Sequence, residues 1–462
     1  MSERNKQTEK KMERIDIVAF PFPGQGHINP MLQFCRCLAS KGLKVTLISF
    51  IDDELTKSMK NSLVRVESIS NYDEDSHKFP TMEGYWQNKK SRFERKLVEM
   101  TENNHGSQIS CLVYDSIMPW ALDIARQFGI AGAAFFTQAC CVSAIYLHVH
   151  QGKLNIPMEN QESISLAGLP ILESHDLPAI VPNYASLVTL RTSQFANLKE
   201  ADWVFINSFD TLEQEVLRWM TNQFSVKLIG PTIPSMYLDE KLEDHSSDYG
   251  LNLVNSVNNN CIPWLDSKKN RSVIYVSFGS LAALAEKQME EIAKALTESP
   301  YHFLWVVRES EENKLPKTFL EATEKGMVVS WCSQLEVLAH KSVGCYITHC
   351  GWNSTLEALS LGVPMVAMPN WTDQTTNAKF VADVWKVGVR VKVDEEGIVT
   401  KDAIENCIRE VMDGEIGNEM RMNSEKWKKL AKEAIDEGGS SHNNIEEFVA
   451  KFKCCSNIET SD

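Results

Sequence analysis

The chain has 462 residues, of which 43% are apolar, and it carries a formal net charge of −15 at pH 7. This length favours two domains over a single core, and the apolar share is typical of a globular protein. The negative charge disfavours nucleic acid and anionic membranes as partners, so any phosphate on a substrate must be held by local hydrogen-bond donors.

The N-terminal residues and the cysteines bear on location and cofactors. Residues 1–16 are charged and lack the apolar segment of a signal peptide. The 12 cysteines show no C-x2-C spacing, which favours reduced structural thiols over a metal site or a disulfide framework. Residues 130–149 are long enough to span a membrane, but Thr137 and Gln138 interrupt them, and a buried strand, loop and helix is favoured. We therefore expect a cytoplasmic monomer with no membrane span.

The first predicted unit is a strand, a turn and a helix. Residues 15–20 form a continuous apolar run, which predicts a strand buried on both faces. A turn that contains His27 follows. Asn29 as the N-cap and Pro30 at the first helical position predict that a helix begins there. Residues 43–50 predict the second strand. This β-α-β order predicts a doubly wound parallel sheet, which binds ligands at the carboxyl ends of its strands.

The first turn also contains part of a dinucleotide-binding fingerprint, Gly24-x-Gly26-x-x-Asn29, with Asp52 or Asp53 as the candidate ribose-binding acid. The third glycine of the fingerprint is missing, and the proline-rich turn is foreign to it. A nicotinamide-dependent oxidoreductase would require the complete fingerprint, so this alternative is disfavoured.

Asp115 follows another buried apolar run, at residues 109–114, and therefore belongs to the same rim of the sheet as His27. A carboxylate beside an imidazole fixes its tautomer and stabilises the imidazolium, which makes the histidine a better general base. The alternative is that His27 is an ordinary hydrogen-bonding residue and that Asp115 caps a helix. Residues 131–136 predict one more strand, which places Thr137 at this rim.

Apolar side chains flank this candidate pair. Phe22 precedes His27 in the turn, and Ile117 and Met118 follow Asp115. Methionine adapts to irregular surfaces, so the three side chains predict an apolar pocket for a small-molecule acceptor. Packing between the two domains would explain the same residues equally well.

The tripeptide Asp73-Glu74-Asp75 matches the D-x-D pattern of metal-dependent sugar transferases. It lies in a polar stretch that no predicted strand precedes. A solvated acidic loop is therefore the favoured interpretation.

A change of composition divides the chain. Prolines, a run of charges and asparagine-rich sequence predict a linker over residues 236–260, between an N-terminal domain, residues 1–235, and a second domain, residues 261–440. The second domain repeats the alternation, with strands predicted at residues 272–276, 303–307, 327–329, 343–348, 364–368 and 387–391. Residues 441–462 complete the chain, and the amphipathic pattern at 444–453 predicts a helix.

The most distinctive stretch follows the predicted strand at residues 343–348. It continues with His349, Asn353 and Ser354 in a loop of small residues and then with a helical pattern. Free N–H groups and the dipole at the start of that helix favour a phosphate or diphosphate, and the three side chains add donors at the same point. Ser354 and Glu357 also fit a capping box, which alone would explain both residues.

The stretch from Trp331 to Gln374 resembles the secondary-product glycosyltransferase box of the plant family-1 UDP-glycosyltransferases. The similarity extends over residues 15–453 and is greatest to the clade that acts on salicylate, indole acetate, triterpenoids and steroids. The resemblance implies the α/β fold called GT-B, in which two Rossmann-like doubly wound domains face an interdomain cleft. It also implies that the second domain holds most of the UDP-sugar and that the C-terminal helix crosses back to the N-terminal domain.

The resemblance further implies roles for individual residues, grouped by the part of the ligand that they contact. Uracil would stack on Trp331 and meet the backbone of Cys332, and the ribose would lie against Gln334 and Glu357. The diphosphate would be held by Ser280, His349, Asn353 and Ser354, and the sugar hydroxyls by Thr137, Trp371, Asp373 and Gln374. Gly26 and Gly351 complete the UDP-sugar set.

Three aromatic residues of the box have structural alternatives. Trp331 and Trp352 could both be core aromatics. The core interpretation is favoured for Trp352, whereas the resemblance favours a uracil contact for Trp331. His340 is interpreted as a structural residue.

The reaction that the resemblance implies is inverting glycosyl transfer. His27 would take the proton of an acceptor hydroxyl or carboxyl as it attacks UDP-glucose, while Asp115 stabilises the imidazolium. The product would be a β-glucoside of an apolar aglycone such as a steroid, a triterpenoid or a phenolic. A glutamine at the last position of the box, Gln374, is usual for glucose donors. Helix N–H groups and His349 would stabilise the leaving diphosphate, so neither a metal ion nor another cofactor is expected.

Three alternatives to this reaction stay open. The donor could be another UDP-sugar, or the acceptors could be mainly carboxylates such as salicylate. A non-catalytic sugar-nucleotide binding protein would keep the box but would not need the pairing of His27 with Asp115, and the presence of both disfavours it.

Overall fold

A computed structural model describes residues 16–50, 63–69, 82–103, 109–156, 163–178, 185–238, 260–316, 319 and 325–458. Within these ranges the strands form two parallel sheets, one of seven strands and one of six. The α/β prediction with two doubly wound, Rossmann-like domains is therefore confirmed. Asp52, Asp53, the Asp73-Glu74-Asp75 motif and residues 239–259 of the predicted linker lie outside the described residues.

The first sheet is built from the N-terminal half of the chain. Its strands are β1 Asp16–Phe20, β2 Lys44–Ser49, β3 Arg65–Ser68, β4 Ile109–Asp115, β5 Ala131–Phe136, β6 Trp203–Ile206 and β7 Val226–Leu228. The described helices of this half are α1 Gln25–Ser40, α2 Met82–Asn103, α3 Trp120–Gln127, α4 Cys140–His150, α5 Ala185–Ser193 and α6 Gln214–Thr221. The strand order is β3-β2-β1-β4-β5-β6-β7, so the direction of winding reverses between β1 and β4. A crevice opens outside the carboxyl ends of strands at such a point, and ligands bind there.

The second sheet has the same arrangement. Its strands are β8 Val273–Ser277, β9 His302–Val306, β10 Gly326–Val329, β11 Val343–Thr348, β12 Met365–Ala367 and β13 Gly388–Arg390, in the order β10-β9-β8-β11-β12-β13. The described helices are α7 Cys261–Asp266, α8 Glu286–Glu298, α9 Gln334–Ala339, α10 Trp352–Leu361, α11 Gln374–Lys379, α12 Lys401–Met412, α13 Gly414–Ile435 and α14 Ser440–Ile458. Here the winding reverses between β8 and β11.

Helix α1 begins at Gln25, so the predicted start at Pro30 with Asn29 as its cap is wrong. The backbone N–H groups of His27 and Ile28 both donate to the Gly24 carbonyl, at 2.9 Å, and close the first turn before Asn29 is reached. Gly24 is the N-cap, and no side chain caps the helix. His27 therefore lies in the first turn of a helix rather than in a loop.

Helix α14 packs on the N-terminal sheet. Ile445, Phe448, Val449 and Phe452 are buried together with apolar residues of β1, β2 and α1. The ring of Phe448 lies 5.1 Å from that of Phe205 and 6.3 Å from that of Phe34. The helix predicted at residues 444–453 thus covers an apolar surface of the N-terminal half.

The apolar stretch at residues 130–149 forms β5 and then α4. The strand is buried in the middle of its sheet, and nearly all of the helix is buried too. Among the described residues no helix is long and apolar enough to cross a membrane. The interpretation as a strand, a loop and a helix is confirmed.

Candidate active site

The first component of the site is His27 with Asp115. Strands β1 and β4 are parallel neighbours, with Phe20 opposite Tyr114, so the turn after β1 and the last residue of β4 share one rim. His27 Nδ1 lies 2.7 Å from Asp115 Oδ2. The Asp115 side chain is fully buried, whereas 16% of the imidazole is exposed. The sequence-predicted pair is therefore formed, with the carboxylate inside and the ring at the surface.

The buried carboxylate of Asp115 is compensated by backbone donors. The N–H of Phe22 donates to Oδ2 and the N–H of Ile117 donates to Oδ1, each at 3.3 Å. A buried charge is tolerated only with such partners. Because Nδ1 of His27 faces Asp115, Nε2 is the ring nitrogen left for chemistry. Thr137 Oγ1 also lies 2.9 Å from Nδ1, a contact that sequence reasoning missed.

The second component is the turn between β11 and α10. Every residue of β11 is buried, and the turn ends at Gly351, the N-cap of α10. Cys350 adopts the left-handed conformation with φ of 62°, which is strained for a residue that is not glycine. The Thr348 hydroxyl accepts the Cys350 N–H at 3.2 Å and holds this conformation. The free N–H groups at the start of α10 and the side chains of Asn353 and Ser354 follow directly after this turn.

Two glycines make room for the imidazole of His349. A β-carbon at Gly279 would lie 2.8 Å from the ring, and one at Gly351 would lie 2.5 Å from Nε2. Both distances are far too short, so no other residue fits at either position without moving the ring. Gly279 follows β8 and Gly351 follows β11, so the ring fills the crevice between the two strands at which the winding reverses.

His349 has an unusual electrostatic environment. Burial lowers the pKa of His349 to about 4, and the opposing effects of the nearby Asp373 and of a hydrogen bond with the Ser277 backbone are smaller. The ring is therefore neutral at pH 7. Its Nδ1 is enclosed and makes no hydrogen bond with any residue that the structure describes. A neutral imidazole can donate one hydrogen bond and accept another, so this ring can bind an anion as a donor without being charged.

Asn353 joins the two components. Its Nδ2 donates to the carbonyl of Gly26 across the domain boundary, at 2.8 Å. In an α-helix that carbonyl would accept the N–H of the residue four positions later, which is Pro30 and has no N–H. The proline inside α1 thus leaves the Gly26 carbonyl available to the second domain. The first turn of α10 thus lies directly beside the residue that precedes His27.

Gln334 organises the residues that the resemblance assigns to the ribose. Its Nε2 donates to Ser354 Oγ at 2.9 Å and to Glu357 Oε2 at 2.6 Å. Its Oε1 accepts the hydroxyls of Tyr275 and Tyr346. The capping-box interpretation of Ser354 and Glu357 is wrong, because α10 begins at Trp352 and no side chain caps it. Both residues lie on one side of the helix, where their side chains are tied to Gln334.

The residues assigned to the sugar lie at the start of α11. Gln374 Oε1 accepts the N–H groups of Asn370 and Trp371, at 2.9 and 3.1 Å. Asp373 Oδ1 accepts the hydroxyl of Thr372, which has a φ of 54°. The loop is thus folded around its own polar side chains, and the Gln374 amide nitrogen is left for other contacts.

The other assigned residues occupy the same rim of the second sheet. Trp331 and Ser280 are partly exposed, while Cys332 is buried with its Sγ 3.6 Å from the Tyr275 hydroxyl. The carbonyl of Ser280 accepts a hydrogen bond from Arg308. No group of three or more histidine, cysteine, aspartate or glutamate side chains with metal-binding geometry occurs among the described residues.

The expected acceptor pocket needs a correction. Ile117 and Met118 are only 3% and 1% exposed and belong to an apolar cluster that contains residues of both domains, so they offer almost no surface to a ligand. Phe22 is partly exposed, and its ring lies 5.0 Å from that of His27 and 5.4 Å from that of Trp86. Sequence reasoning missed Trp86, which lies on α2 far along the chain and carries no motif.

Trp352 and His340 are structural residues, as the sequence predicts. Trp352 is buried, and its Nε1 donates to the carbonyl of Asn207 in the N-terminal domain at 2.7 Å. His340 Nδ1 contacts Ser342 Oγ at 2.8 Å, and its Nε2 lies 3.3 Å from Asp266. Neither side chain has a free polar atom to offer a ligand.

Comparisons with known proteins agree with this geometry. A family model described as UDP-glucoronosyl and UDP-glucosyl transferase matches residues 27–430. The chain belongs to this family. It is 50% identical to UDP glycosyltransferase 9 of Catharanthus roseus, over 95% of this chain and 97% of that protein. It is 49% identical to a mogroside I-E synthase of Siraitia grosvenorii, over 94% and 96% of the two chains.

A solved structure supports the same assignment. Os79 from O. sativa in complex with UDP superposes with a TM-score of 0.85 and 39% identity, covering 94% of this chain and all of Os79. The same rice protein in complex with U2F and a trichothecene gives a TM-score of 0.84. The fold is therefore GT-B, and the UDP-glycosyltransferase described here transfers a sugar from a UDP-sugar to a small-molecule acceptor.

Proposed function

We propose that this enzyme is an inverting glucosyltransferase that moves glucose from UDP-glucose to a hydroxyl of an apolar aglycone and yields a β-glucoside. The observation that carries the proposal is the imidazole of His27. It is oriented by the buried Asp115 and lies next to Gly26, which is hydrogen-bonded to Asn353 in the first turn of α10. A base and a site suited to a nucleotide diphosphate thus meet at one point.

The chemical step starts at His27. Nδ1 is held by Asp115, so Nε2 takes the proton of the acceptor hydroxyl as the oxygen attacks the anomeric carbon. The Asp115 carboxylate stabilises the imidazolium that forms, and it need not accept the proton itself. Attack from the side opposite to UDP inverts the α-linked donor to a β-linked product. The Thr137 hydroxyl, 2.9 Å from Nδ1, helps to keep the ring in this orientation.

The leaving UDP is stabilised by neutral donors. The N–H groups at the start of α10 and the side chains of Asn353 and Ser354 surround the position proposed for the diphosphate. His349 adds a donor that stays uncharged at pH 7, because burial lowers its pKa to about 4. Neutral donors aimed at a fixed point suit an ion that gains charge as its bond to the sugar breaks.

We assign the remaining contacts by their position along this rim. The partly exposed indole of Trp331 stacks on uracil, beside the backbone of Cys332. Glu357, with one oxygen held by Gln334, takes the ribose hydroxyls. Trp371, Asp373 and Gln374 read the glucose hydroxyls, and Gln374 presents its amide nitrogen because its Oε1 is occupied by the loop backbone.

The apolar character of the acceptor is supported by two lines of evidence. The rings of Phe22 and Trp86 stand beside His27 at the rim of the N-terminal sheet. Among the relatives, one is named for synthesis of a mogroside, a triterpenoid glycoside, and the rice protein was solved with a trichothecene. We therefore propose a terpenoid, steroid or phenolic alcohol as the acceptor class.

The decisive experiment combines donors and acceptors in one panel. The protein is incubated with UDP-glucose, UDP-galactose or UDP-glucuronate and with triterpenoid, steroid, phenolic and carboxylate acceptors, including salicylate. Products are detected by mass spectrometry, and proton coupling constants give the anomeric configuration. We expect a β-glucoside of an alcohol with UDP-glucose. An α-linked product, or efficient transfer only from another UDP-sugar or only to carboxylates, would contradict the proposal.

We also propose that turnover needs no divalent ion. The donors to the diphosphate named above are N–H groups and neutral side chains, which take the role that a metal ion plays in other sugar transferases. Turnover in excess EDTA is expected to equal turnover in buffer. Loss of activity in EDTA that magnesium or manganese restores would refute this part of the proposal.

A further inference from the structure

One turn of the N-terminal domain is bonded to the helix that begins with Gln374. The turn comprises residues 174–177, and the helix is α11. Thr375 Oγ1 donates to the carbonyl of Leu177 and Thr376 Oγ1 donates to the carbonyl of Asp176, each at 2.6 Å. Arg390, the last residue of β13, donates from Nη2 to the carbonyl of His175 at 2.9 Å. The two residues that follow Gln374 are thus fixed to the opposite domain.

The side chain of Asp176 adds charge to this contact. It is 1% exposed, and its Oδ1 accepts Nη1 of Arg390 at 2.6 Å. Lys379, the last residue of α11, lies 3.5 Å from Oδ2 and is also paired with Asp383 at 2.7 Å. The two carboxylates balance the two cations. Asp176 is the buried member of this ion pair, and loss of its cationic partners would leave its charge uncompensated, so the contact tolerates little displacement.

Helix α11 is braced on its other side by the turn after β11. Asn377 Nδ2 donates to the carbonyl of Cys350 at 2.9 Å and to Asp373 Oδ2 at 2.8 Å. The loop that ends in Asp373 and Gln374 therefore stands between two fixed points. One is the turn proposed for the diphosphate, and the other is the 174–177 turn of the N-terminal domain.

We propose that Asp176 is a positioning residue for glycosyl transfer. Through Arg390, Lys379 and the 174–177 turn it sets where Asp373 and Gln374 stand relative to His27. This inference rests on the proposed function, because it takes those two side chains to contact the sugar. Asp176 has no contact with the ligand itself. Loss of the Asp176 carboxylate should change how the sugar is held. It should leave the affinity for UDP unchanged, because the second domain binds UDP.

The test compares Asp176→Asn and Thr376→Val with a matched control, Ser441→Ala. Thr376 and Ser441 are both fully buried, and each hydroxyl donates at 2.6 Å to a carbonyl of the N-terminal domain, but Ser441 lies on α14 and bonds Gly230, away from α11. For Asp176→Asn we expect kcat with UDP-glucose to fall by roughly 10- to 100-fold, as small misplacements of reacting groups do. The ratio of kcat/KM for UDP-glucose over UDP-galactose should fall too.

Further measurements separate positioning from stability. Calorimetric titration should give a Kd for UDP unchanged within about twofold in all variants, and a weaker Kd for UDP-glucose in Asp176→Asn and Thr376→Val only. Ser441→Ala should lower the melting temperature alone. If Asp176→Asn does not fold, Thr376→Val is compared with Ser441→Ala in its place, and we expect its kcat to fall several-fold.

Two outcomes are decisive. If both variants match Ser441→Ala in kcat, in donor ratio and in the Kd for UDP-glucose, Asp176 is only structural and the inference is overturned. If the wild-type protein forms no glucoside but binds UDP-glucose, the proposed function fails. In that case the Kd values still test the positioning role: Asp176→Asn and Thr376→Val should bind UDP-glucose more weakly than Ser441→Ala does, and equal Kd values would overturn the inference.

Discussion

The two carboxyl rims have the same topology and opposite chemistry. Strand β4 in the first sheet and β11 in the second occupy equivalent places, next to the central strands β1 and β8. Strand β4 ends in the buried carboxylate of Asp115, and the turn after β1 brings His27 against it. Strand β11 is followed by His349. The turn after β8 supplies Gly279, which has no side chain and so leaves space for the His349 ring. One imidazole therefore has a carboxylate partner, and the other is desolvated.

This difference shows what decides the role of a histidine at such a rim. A carboxylate within hydrogen-bond distance stabilises the imidazolium, so His27 is suited to take a proton. Enclosure without a charged partner of that kind disfavours the imidazolium, and the lowered pKa of His349, about 4, follows from burial. His349 is therefore suited to donate a hydrogen bond. The local neighbour, and not the residue type, sets the chemistry.

The largest expected effect concerns the rim of the first sheet, where His27 is paired with Asp115. His27→Ala should lower turnover of an alcohol acceptor by about 10²–10⁴-fold, the usual contribution of a general base, while the Kd for UDP stays the same. Steady-state kinetics and calorimetry measure the two quantities. His340→Gln is the matched control, because that histidine lies in the box and its ring nitrogens contact Ser342 and Asp266 rather than His27 or the turn after β11. Near-normal turnover of His27→Ala would remove the base from the mechanism.

The second prediction concerns the pH dependence of stability. The pKa of a histidine in an unfolded chain is about 6.5, whereas burial lowers that of His349 to about 4. Between these values the unfolded chain binds more protons, so the stability contributed by His349 is present above pH 6.5 and lost as the pH falls towards 4. At pH 5 the difference is about 2 kcal/mol.

Urea unfolding at pH 7 and pH 5 measures this effect in the wild type and in His349→Gln, which has no titrating group at the position. The wild type should lose about 2 kcal/mol more than the variant between the two pH values. Equal losses would mean that His349 is protonated as easily in the folded protein as in solution, and the contrast between the two rims would fail.

The third prediction tests whether the neutral imidazole of His349, at the rim of the second sheet, donates a hydrogen bond to UDP. His349→Gln keeps an amide donor but cannot fill the space between Gly279 and Gly351 in the same way. We expect the Kd for UDP to rise about tenfold, the value of one hydrogen bond to a charged group. Calorimetric titration measures this, and the opposite pattern, with a normal Kd and a large loss of kcat on an alcohol, would assign His349 to the proton transfer instead.

The smallest expected effect concerns a contact that joins the domains without touching the site. Trp352→Phe removes the Nε1–H that donates to the Asn207 carbonyl. Its loss should cost about 1 kcal/mol of stability and leave kcat per folded protein within about twofold. A large fall in kcat would mean that this packing contact helps to align the two rims, which the hydrogen bond of the neighbouring Asn353 to Gly26 is inferred to do.

Much of the fold and the catalytic pair could be predicted from the sequence. Strands β5 and β11 match their predicted bounds, because apolar runs end sharply at Thr137 and at His349. The pairing of His27 with Asp115 follows from a rule about parallel sheets and needs no coordinates. The resemblance of residues 331–374 to the glycosyltransferase box implied further side chains at the second rim, and the structure places them there.

Other features depend on packing that no local pattern reveals. The start of α1 is set by backbone bonds to Gly24, so the cap signal of Asn29 was misleading. Ile117 and Met118 follow Asp115 in sequence, yet they point into the core. The ion pair of Asp176 with Arg390 joins residues 214 positions apart, and neither side chain lies in a motif. Such contacts arise only when two complete domains meet.

The position of α14 has a consequence for how the protein is made. The apolar side of this helix, with Phe448 at its centre, covers a surface of the N-terminal sheet. A ribosome synthesises this segment after both sheets, because α14 follows β13 in the chain. The N-terminal sheet therefore keeps an uncovered apolar surface until α14 has been made. A variant that lacks α14 should leave this surface exposed and be recovered from cells in complex with chaperones.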